Sequence, residues 1–345
     1  MAGLTELLAK DRTERLSQER GLAGASKEVV TMQVIQGNIN INLVELKVER
    51  TTIPDFQLDN PNSGLDGTDP TNTMERLDTP AIYGYTNYGE SYYTETLSFN
   101  YELLSHITTI YPIMLNAKIK IAKWLVGEVS SLNWIYMAVG DGTQEITDSL
   151  SGLANELGRF QPTIVKNGQY IYYYLELPPT TNGWTISEVG IFDDSTEGQL
   201  LAYATFDPVA LDYDHYVKIT MVLKAEYGVP IMDKLWDVIG GSMIGSSYNP
   251  PGYIGFSNTE ITVDNTAITS MPGEVARKEV LVSREDTTAV FTATLLTTEA
   301  AGETIRTVGL FETDTSTEPL MLFSGFEFQK TSYDSFQQIF RIHVG

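Results

Sequence analysis

Ile186-Ser187-Glu188-Val189-Gly190-Ile191-Phe192 and Ile305-Arg306-Thr307-Val308-Gly309-Leu310-Phe311 are one pattern written twice, 119 residues apart. Each reads as a buried strand with a glycine inside it. Glycine weakens a strand, so its recurrence as Gly190 and Gly309 implies close approach of another backbone or a bulge. Moving outward, Thr147-Asp148 matches Val263-Asp264 at an offset of 116, and Arg159 matches Arg277 at 118. Downstream, Leu200-Leu201 matches Leu320-Met321 and Phe206 matches Phe326, both at 120. Small loop insertions account for that drift, so the chain carries an internal repeat. Its copies span about 132–228 and 252–345. Short apolar strands with frequent turn punctuation and little helical period predict a β-sandwich in each copy.

The remaining organisation follows the same periodicities. Residues 2–20 read as a helix with a thin apolar face, Leu4, Leu7, Leu8 and Leu16, supported by the i,i+4 pairs Glu6–Lys10 and Asp11–Arg15. Such a face is marginal alone, so the arm is expected to order against a neighbouring subunit. Gly21–Ser26 is a hinge, and 1–28 form the arm with its hinge. Residues 29–131 are expected to form a β-rich domain, with strands at Thr31–Val34 and Ile39–Val48 around Gln36-Gly37-Asn38. The apolar phase slips at Leu43/Val44, which suggests a bulge. Residues 54–80 are a long polar loop, Tyr92–Leu103 resumes strand alternation, and Ala117–Val126 is ambiguous between strand and helix. Residues 229–251 read as a linker with a short docking helix at Ile231–Ile239, broken at Gly240 and Gly241. The expected architecture is therefore all-β, with tandem β-sandwich domains, a β-rich N-terminal domain and a short helical arm.

Composition narrows the chemistry. The 345 residues hold 22 Lys+Arg against 45 Asp+Glu, a net charge of −23. No segment is basic: residues 132–228 carry 4 basic and 13 acidic groups, and residues 252–345 carry 6 and 13. Phosphate backbones need a positive stripe and anionic lipid repels an acidic surface, so neither nucleic acid nor membrane is an expected partner. There is no cysteine, which removes disulfides, thiolate metal sites and cysteine nucleophiles. The N-terminus lacks the apolar core of a signal peptide, so synthesis in the cytosol is expected.

Catalytic patterns are scarce. His106, His215 and His343 are isolated, and no G-x-S-x-G elbow occurs. Carboxylate pairs could serve a glycosidase, but acids are so common that any pair arises readily by chance. Asp207, Asp212 and Asp214 cluster, as do Asp55, Asp59, Asp66 and Asp69, without the spacing of a Ca²⁺ loop. No cofactor or metal is expected. Tyr83, Tyr85, Tyr88, Tyr92, Tyr93 and Tyr101 form a tyrosine-rich segment suited to strand packing, a protein interface or sugar binding.

The order of short motifs in the first copy carries a resemblance. Ile135-Tyr136-Met137-Ala138-Val139-Gly140-Asp141-Gly142-Thr143 comes first, followed by Asp148, Leu150, Glu156 and Arg159. Then come Ile186–Asp193, with Glu188 and Gly190, and Leu200-Leu201-Ala202. This order resembles the N-terminal module of phage tail-fibre (tail-collar) proteins, which also occurs in contractile-tail phages and R-type bacteriocins. The second copy departs from it, with Ile254–Asn258 in place of the Gly-Asp-Gly opening and Thr307 in place of Glu188. The resemblance implies a β-rich module joining a fibre to a baseplate. The structural motif would be Gly140, Asp141, Gly142, Arg159, Glu188, Gly190, Arg277 and Gly309, with Arg159 and Glu188 expected as an ion pair. Leu4, Leu7, Leu8, Tyr83, Tyr85, Tyr88, Tyr92 and Tyr93 would be candidates for partner contacts.

The expected function is that of a structural, non-enzymatic virion protein of a tail or baseplate. It would attach tail fibres by binding other virion proteins and be homo-oligomeric in the particle. The alternatives are a tail-borne polysaccharide-binding or depolymerising protein, and a head or neck decoration protein.

Overall fold

Strand β1 (Val29–Thr52) runs unbroken through the segment that the sequence divides at Gln36-Gly37-Asn38. Gly37 is a strand residue there, not a turn residue: a Cβ on it would lie 2.6 Å from Ile231 Cγ1. The glycine permits close approach of a neighbour, which local sequence alone cannot distinguish from a turn. Along β1 the buried apolar side chains are Ile35, Ile39, Ile41 and Leu43, then Leu46 and Val48, so the phase does slip after Leu43.

The computed structural model describes residues 29–52, 102–108, 111–179, 183–213, 215–263 and 268–345. The arm residues Leu4, Leu7 and Leu8, the 54–80 loop, and Tyr83, Tyr85, Tyr88, Tyr92, Tyr93 and Tyr101 lie outside them. Among the described residues the fold is mostly β, with seventeen strands and two helices.

The described residues divide between two compact units. One takes the described residues within 29–41, 118–132 and 225–345, the other those within 42–117 and 133–224. The separate domain expected for residues 29–131 is therefore corrected, because that segment is shared out between the units. The physical reason lies in β1. Its first part pairs in parallel with β17 (Asp334–Val344), from Val29↔Asp334 to Ile39↔Val344. Its second part pairs antiparallel with β2 (Glu102–Ile107) and β3 (Tyr111–Pro112).

In the unit containing residues 133–224, β4 (Tyr136–Gly140), β5 (Glu156–Phe160), β8 (Thr185–Phe192) and β9 (Leu200–Ala210) form a four-stranded sheet in the order β5-β4-β8-β9. Strands β6 (Thr163–Asn167), β7 (Tyr170–Leu177) and β10 (His215–Tyr227) pair as β6-β7-β10. In the other unit, β11 (Tyr253–Ser257), β12 (Glu274–Glu279), β15 (Thr304–Phe311) and β16 (Met321–Gln329) form a sheet in the order β12-β11-β15-β16. Strands β13 (Leu281–Glu285) and β14 (Thr288–Leu295) pair with β17 as β13-β14-β17, in a separate sheet. Strands β4 to β10 thus correspond one for one with β11 to β17. The registers agree too: Ala138↔Gly190↔Tyr203 in one copy matches Gly255↔Gly309↔Leu322 in the other.

The repeat begins earlier than the sequence pattern suggests. Pro112-Ile113-Met114 leads into helix α1 (Leu115–Leu125), and Pro230-Ile231-Met232 leads into helix α2 (Asp233–Met243), 118 residues later. Met114 N–H donates to Leu201 O at 2.9 Å, and Met232 N–H donates to Leu320 O at 3.0 Å. Met114 is buried with Ala138, Phe192, Leu200 and Tyr203. Met232 is buried with Met271, Phe311 and Leu322. The short helix expected within residues 229–251 is present as α2 and is packed. Leu235, Trp236, Val238 and Ile239 are buried, and α2 continues through Gly240 and Gly241 to Met243. Gly241 is tolerated there because the Tyr248 ring occupies the place of its side chain.

Candidate functional site

Arg159 and Arg277 each organise the open end of a four-stranded sheet. In β5, Glu156 pairs with Gly140 and Gly158 pairs with Val139, so one extra residue is inserted between them. In a regular strand, residues three apart point to opposite faces. The bulge restores Glu156 and Arg159 to one face. Arg159 then donates from Nε to Glu156 Oε1 at 2.9 Å and from Nη2 to Oε2 at 2.7 Å. Its Nη1 donates to the carbonyls of Asp194 (2.8 Å) and Glu197 (2.6 Å). Its guanidinium lies 3.8 Å from the centre of the Phe192 ring.

The second copy rebuilds this arrangement. The same bulge recurs in β12: Phe256 pairs with Ala276 and Ser257 with Glu274, so Val275 is inserted between them. Arg277 bonds Glu274 through Nε (2.6 Å) and Nη2 (2.7 Å), caps the carbonyls of Thr313, Asp314 and Ser316, and lies 3.9 Å over Phe311. A shallow cavity of about 240 Å³ lies beside it, lined by Ser270, Met271, Asp314 and Thr317 among others. Every nitrogen of Arg277 is engaged within the chain, so the cavity has no uncommitted cation to offer a ligand.

The expected Arg159–Glu188 ion pair is corrected. Glu188 is fully buried. Its Oε1 accepts from the backbone N–H of Gly142 (3.2 Å) and Asn155 (2.8 Å), and its Oε2 from Ala154 N–H (2.9 Å) and the Tyr203 hydroxyl (2.8 Å). Four donors satisfy the carboxylate without a cation. Burial first, then the Glu188 carboxylate, push the Tyr203 hydroxyl far above its ordinary range. Gly140 and Gly142 make this possible: a Cβ on Gly142 would lie 2.6 Å from Ala154 Cβ and 2.8 Å from Glu188 Oε1, and one on Gly140 would strike Asn155 O. Asp141 closes the turn by accepting from the Asn155 amide. In the second copy small hydroxyls fill the same place. Thr307 Oγ1 donates to Thr259 O at 2.7 Å and shares a 2.6 Å bond with Ser324 Oγ.

Gly190 and Gly309 sit beside the aromatic rings at the two sheet centres. A Cβ on Gly190 would lie 2.7 Å from Leu200 Cδ1 and 2.9 Å from Leu153 Cδ1. One on Gly309 would lie 3.0 Å from Phe311 Cε2 and 3.3 Å from Leu322 Cδ1. Side chains, not the second backbone expected from the sequence, obstruct both positions.

The histidines are each tied locally. His106 Nε2 lies 2.9 Å from Glu45 Oε1, and His215 Nδ1 lies 2.6 Å from Asp212 Oδ1. His343 Nδ1 is within 3.3 Å of the Thr287 and Thr288 hydroxyls. Burial opposes ionisation of Glu45, yet hydrogen bonds with Lys47 and His106 hold its carboxyl below the usual range. Asp55, Asp59, Asp66, Asp69 and Asp214 lie outside the described residues. Among the described residues, no group of three His, Asp or Glu side chains is placed to hold a metal ion.

Two surface features went unread in the sequence. On β1, Val30, Met32 and Val34 alternate on one face and are 58%, 59% and 50% exposed. In the register of that sheet, Val34 is followed across the strands by Ile339, Thr292 and the exposed Leu281. On β7, Tyr170, Tyr172 and Tyr174 stand in a row opposite the buried Ile171, Tyr173 and Leu175. The period-two signal was present in both, but a strand pattern alone does not say which face meets water. No protein-family model matches the chain, and no curated protein matches it.

Proposed function

We propose that the chain is a structural protein of a phage tail or baseplate, attaching tail fibres by protein–protein binding rather than by turnover. Each copy is read as a β-sandwich, its four-stranded sheet packed against the remaining strands. In the second copy, Phe256 and Phe336 meet edge to face at 6.0 Å and Phe328 stacks on Phe336 at 4.7 Å, which supports this reading. The motif residues of the tail-fibre resemblance converge in one sheet: Gly140, Glu188 and Gly190 lie in adjacent strands, with Arg159 on the next.

The observation that carries an attachment role is the apolar face of Val30, Met32, Val34 and Leu281. Exposed apolar surface of this kind marks interaction sites. Its proposed occupant is residues 2–20 of a neighbouring copy, with Leu4, Leu7 and Leu8 on the face. Residues 1–28 carry five basic and five acidic groups, so this segment is neutral and is not repelled by a body of net charge −23. Antibody-labelled images of purified particles test the role: label at the tail or baseplate is expected, and particles without label there would overturn it.

A further inference from the structure

The row of tyrosines on β7 is not required by the fold, and the internal repeat provides the control. Tyr170, Tyr172 and Tyr174 pair with Asn167, Val165 and Thr163 of β6. The corresponding residues of β14 are Thr288, Val290 and Thr292, which pair with Glu285, Ser283 and Leu281 of β13. Strand order and register are the same, yet one copy presents three aromatic rings where the other presents two threonines and a valine. Core packing is already supplied on the opposite face by Ile171, Tyr173, Leu175 and Leu177.

The rings form a continuous surface along the strand. Successive centroids are 6.1 Å apart, and the planes of Tyr172 and Tyr174 differ by only 6°. Tyr170 is 37% exposed, and Val165 beside Tyr172 is 45% exposed. Hydrogen-bonding groups border the row: Asn167 and Thr163 on one side, and Lys218, whose Nζ lies 5.4 Å from the Tyr174 ring centre, on the other. Tyrosine supplies rigid area with a polar tip at low entropic cost.

We infer that this face binds an extended, neutral polysaccharide. The C–H faces of successive sugar rings pack against aromatic rings, while their hydroxyls meet amide, hydroxyl and ammonium groups at the border. A linear polymer matches a linear row. Single-stranded nucleic acid also stacks on aromatic ladders, but it requires a positive groove along its backbone, which a chain of net charge −23 does not offer. The inference adds a ligand-binding face to the attachment role and does not depend on it.

Native gels cast with soluble hydroxyethylcellulose, xylan, galactomannan or dextran provide the test, using the full chain. At least one polymer is expected to retard the wild type. Tyr172→Ala should weaken that retardation by about tenfold in apparent Kd, close to 1.4 kcal/mol. Tyr172→Phe should retain most of it, and Thr288→Ala in the second copy should leave it unchanged. Tyr172 and Thr288 are partly buried, so melting of each variant is measured beside binding, and all are expected to stay close to the wild type because the core packs on the opposite face. No retardation by any of the four polymers would overturn the inference. So would equal retardation of the wild type and Tyr172→Ala. If Tyr172→Ala instead abolished binding to a virion protein with no polysaccharide effect, the face would be a protein interface and the inference would also fail.

Discussion

Arg159 lies over the Phe192 ring at 3.8 Å while holding Glu156 with two parallel hydrogen bonds and two loop carbonyls with a third nitrogen. One side chain thus fastens a strand bulge, a core aromatic and the loop after β8. The side chain of Arg159 is only 7% exposed, so its bonds are little screened. Arg159→Lys should destabilise its unit by about 2–4 kcal/mol, because an ammonium cannot reproduce the planar fork. Arg277→Lys should cost a similar amount. Chemical denaturation of both variants, with the slope against denaturant unchanged, is the measurement.

Glu188 tells a different story, since its partners are all neutral donors. Whichever way it is turned, the amide NH2 of Glu188→Gln meets at least one backbone N–H, which can only donate. A loss of about 2–4 kcal/mol is expected. Glu188→Thr should fare no better, although threonine occupies the matching position as Thr307, because Thr307 depends on Ser324 and on the Thr259 carbonyl. A Glu188→Gln protein melting with the wild type would refute the role of the backbone donors.

Tyr203 makes stability sensitive to alkali. Its ionisation in the folded state is shifted above the ordinary tyrosine value of 10.0, with burial the larger cause and Glu188 the next. The unfolded chain therefore loses this proton first as pH rises. The contribution of Tyr203 is fully present below about pH 10 and is lost as pH climbs through the folded value. The stability gap between wild type and Tyr203→Phe should be constant from pH 7 to 9 and narrow above pH 10. Urea unfolding across that range measures it.

Gly190 and Gly309 should respond unequally to the same substitution. The Leu200 and Leu153 methyl groups leave Gly190 less room than Phe311 and Leu322 leave Gly309. Gly190→Ala should cost about 1–3 kcal/mol by overpacking, and Gly309→Ala less than Gly190→Ala. Valine should be destabilising at both. Equal tolerance of alanine at the two positions in thermal melts would contradict this geometry.

The absence of cysteine makes the proposed docking of the N-terminal segment easy to probe. Leu7→Cys and Met32→Cys in separate chains, mixed and oxidised, should give a covalent dimer. Deleting residues 2–20 should leave melting unchanged and weaken incorporation into particles. A deletion variant incorporated at wild-type levels would rule the docking out.

Much of the fold was legible because it was written twice. Val-Gly-Ile-Phe and Val-Gly-Leu-Phe located β8 and β15, and the 118-residue offset of Arg159 and Arg277 marked two equivalent side chains. Glu156 and Glu274 share that offset, but their pairing with the arginines is not legible, because Glu-x-x-Arg places both residues on one face of a helix but on opposite faces of a strand. Only the bulge brings them together, and a bulge depends on the partner strand. Pro112-Ile113-Met114 and Pro230-Ile231-Met232 also repeat, but one copy precedes an ambiguous apolar run and the other a glycine-rich one, which hid the kinship. Residues 29–131 resemble a domain in local pattern alone, because β1 finds its parallel partner only at Asp334–Val344, beyond the reach of that pattern.

That parallel pairing also constrains the order of events during synthesis. Val29–Ile39 leaves the ribosome early, while the strand it joins lies about three hundred residues downstream. At about 5–20 residues per second the early strand waits for roughly 15–60 s. Until then its alternating apolar residues lack the neighbour that completes their sheet. An interrupted message would leave that unit unclosed, so prematurely terminated chains should be marked for proteolysis before they can enter an assembly.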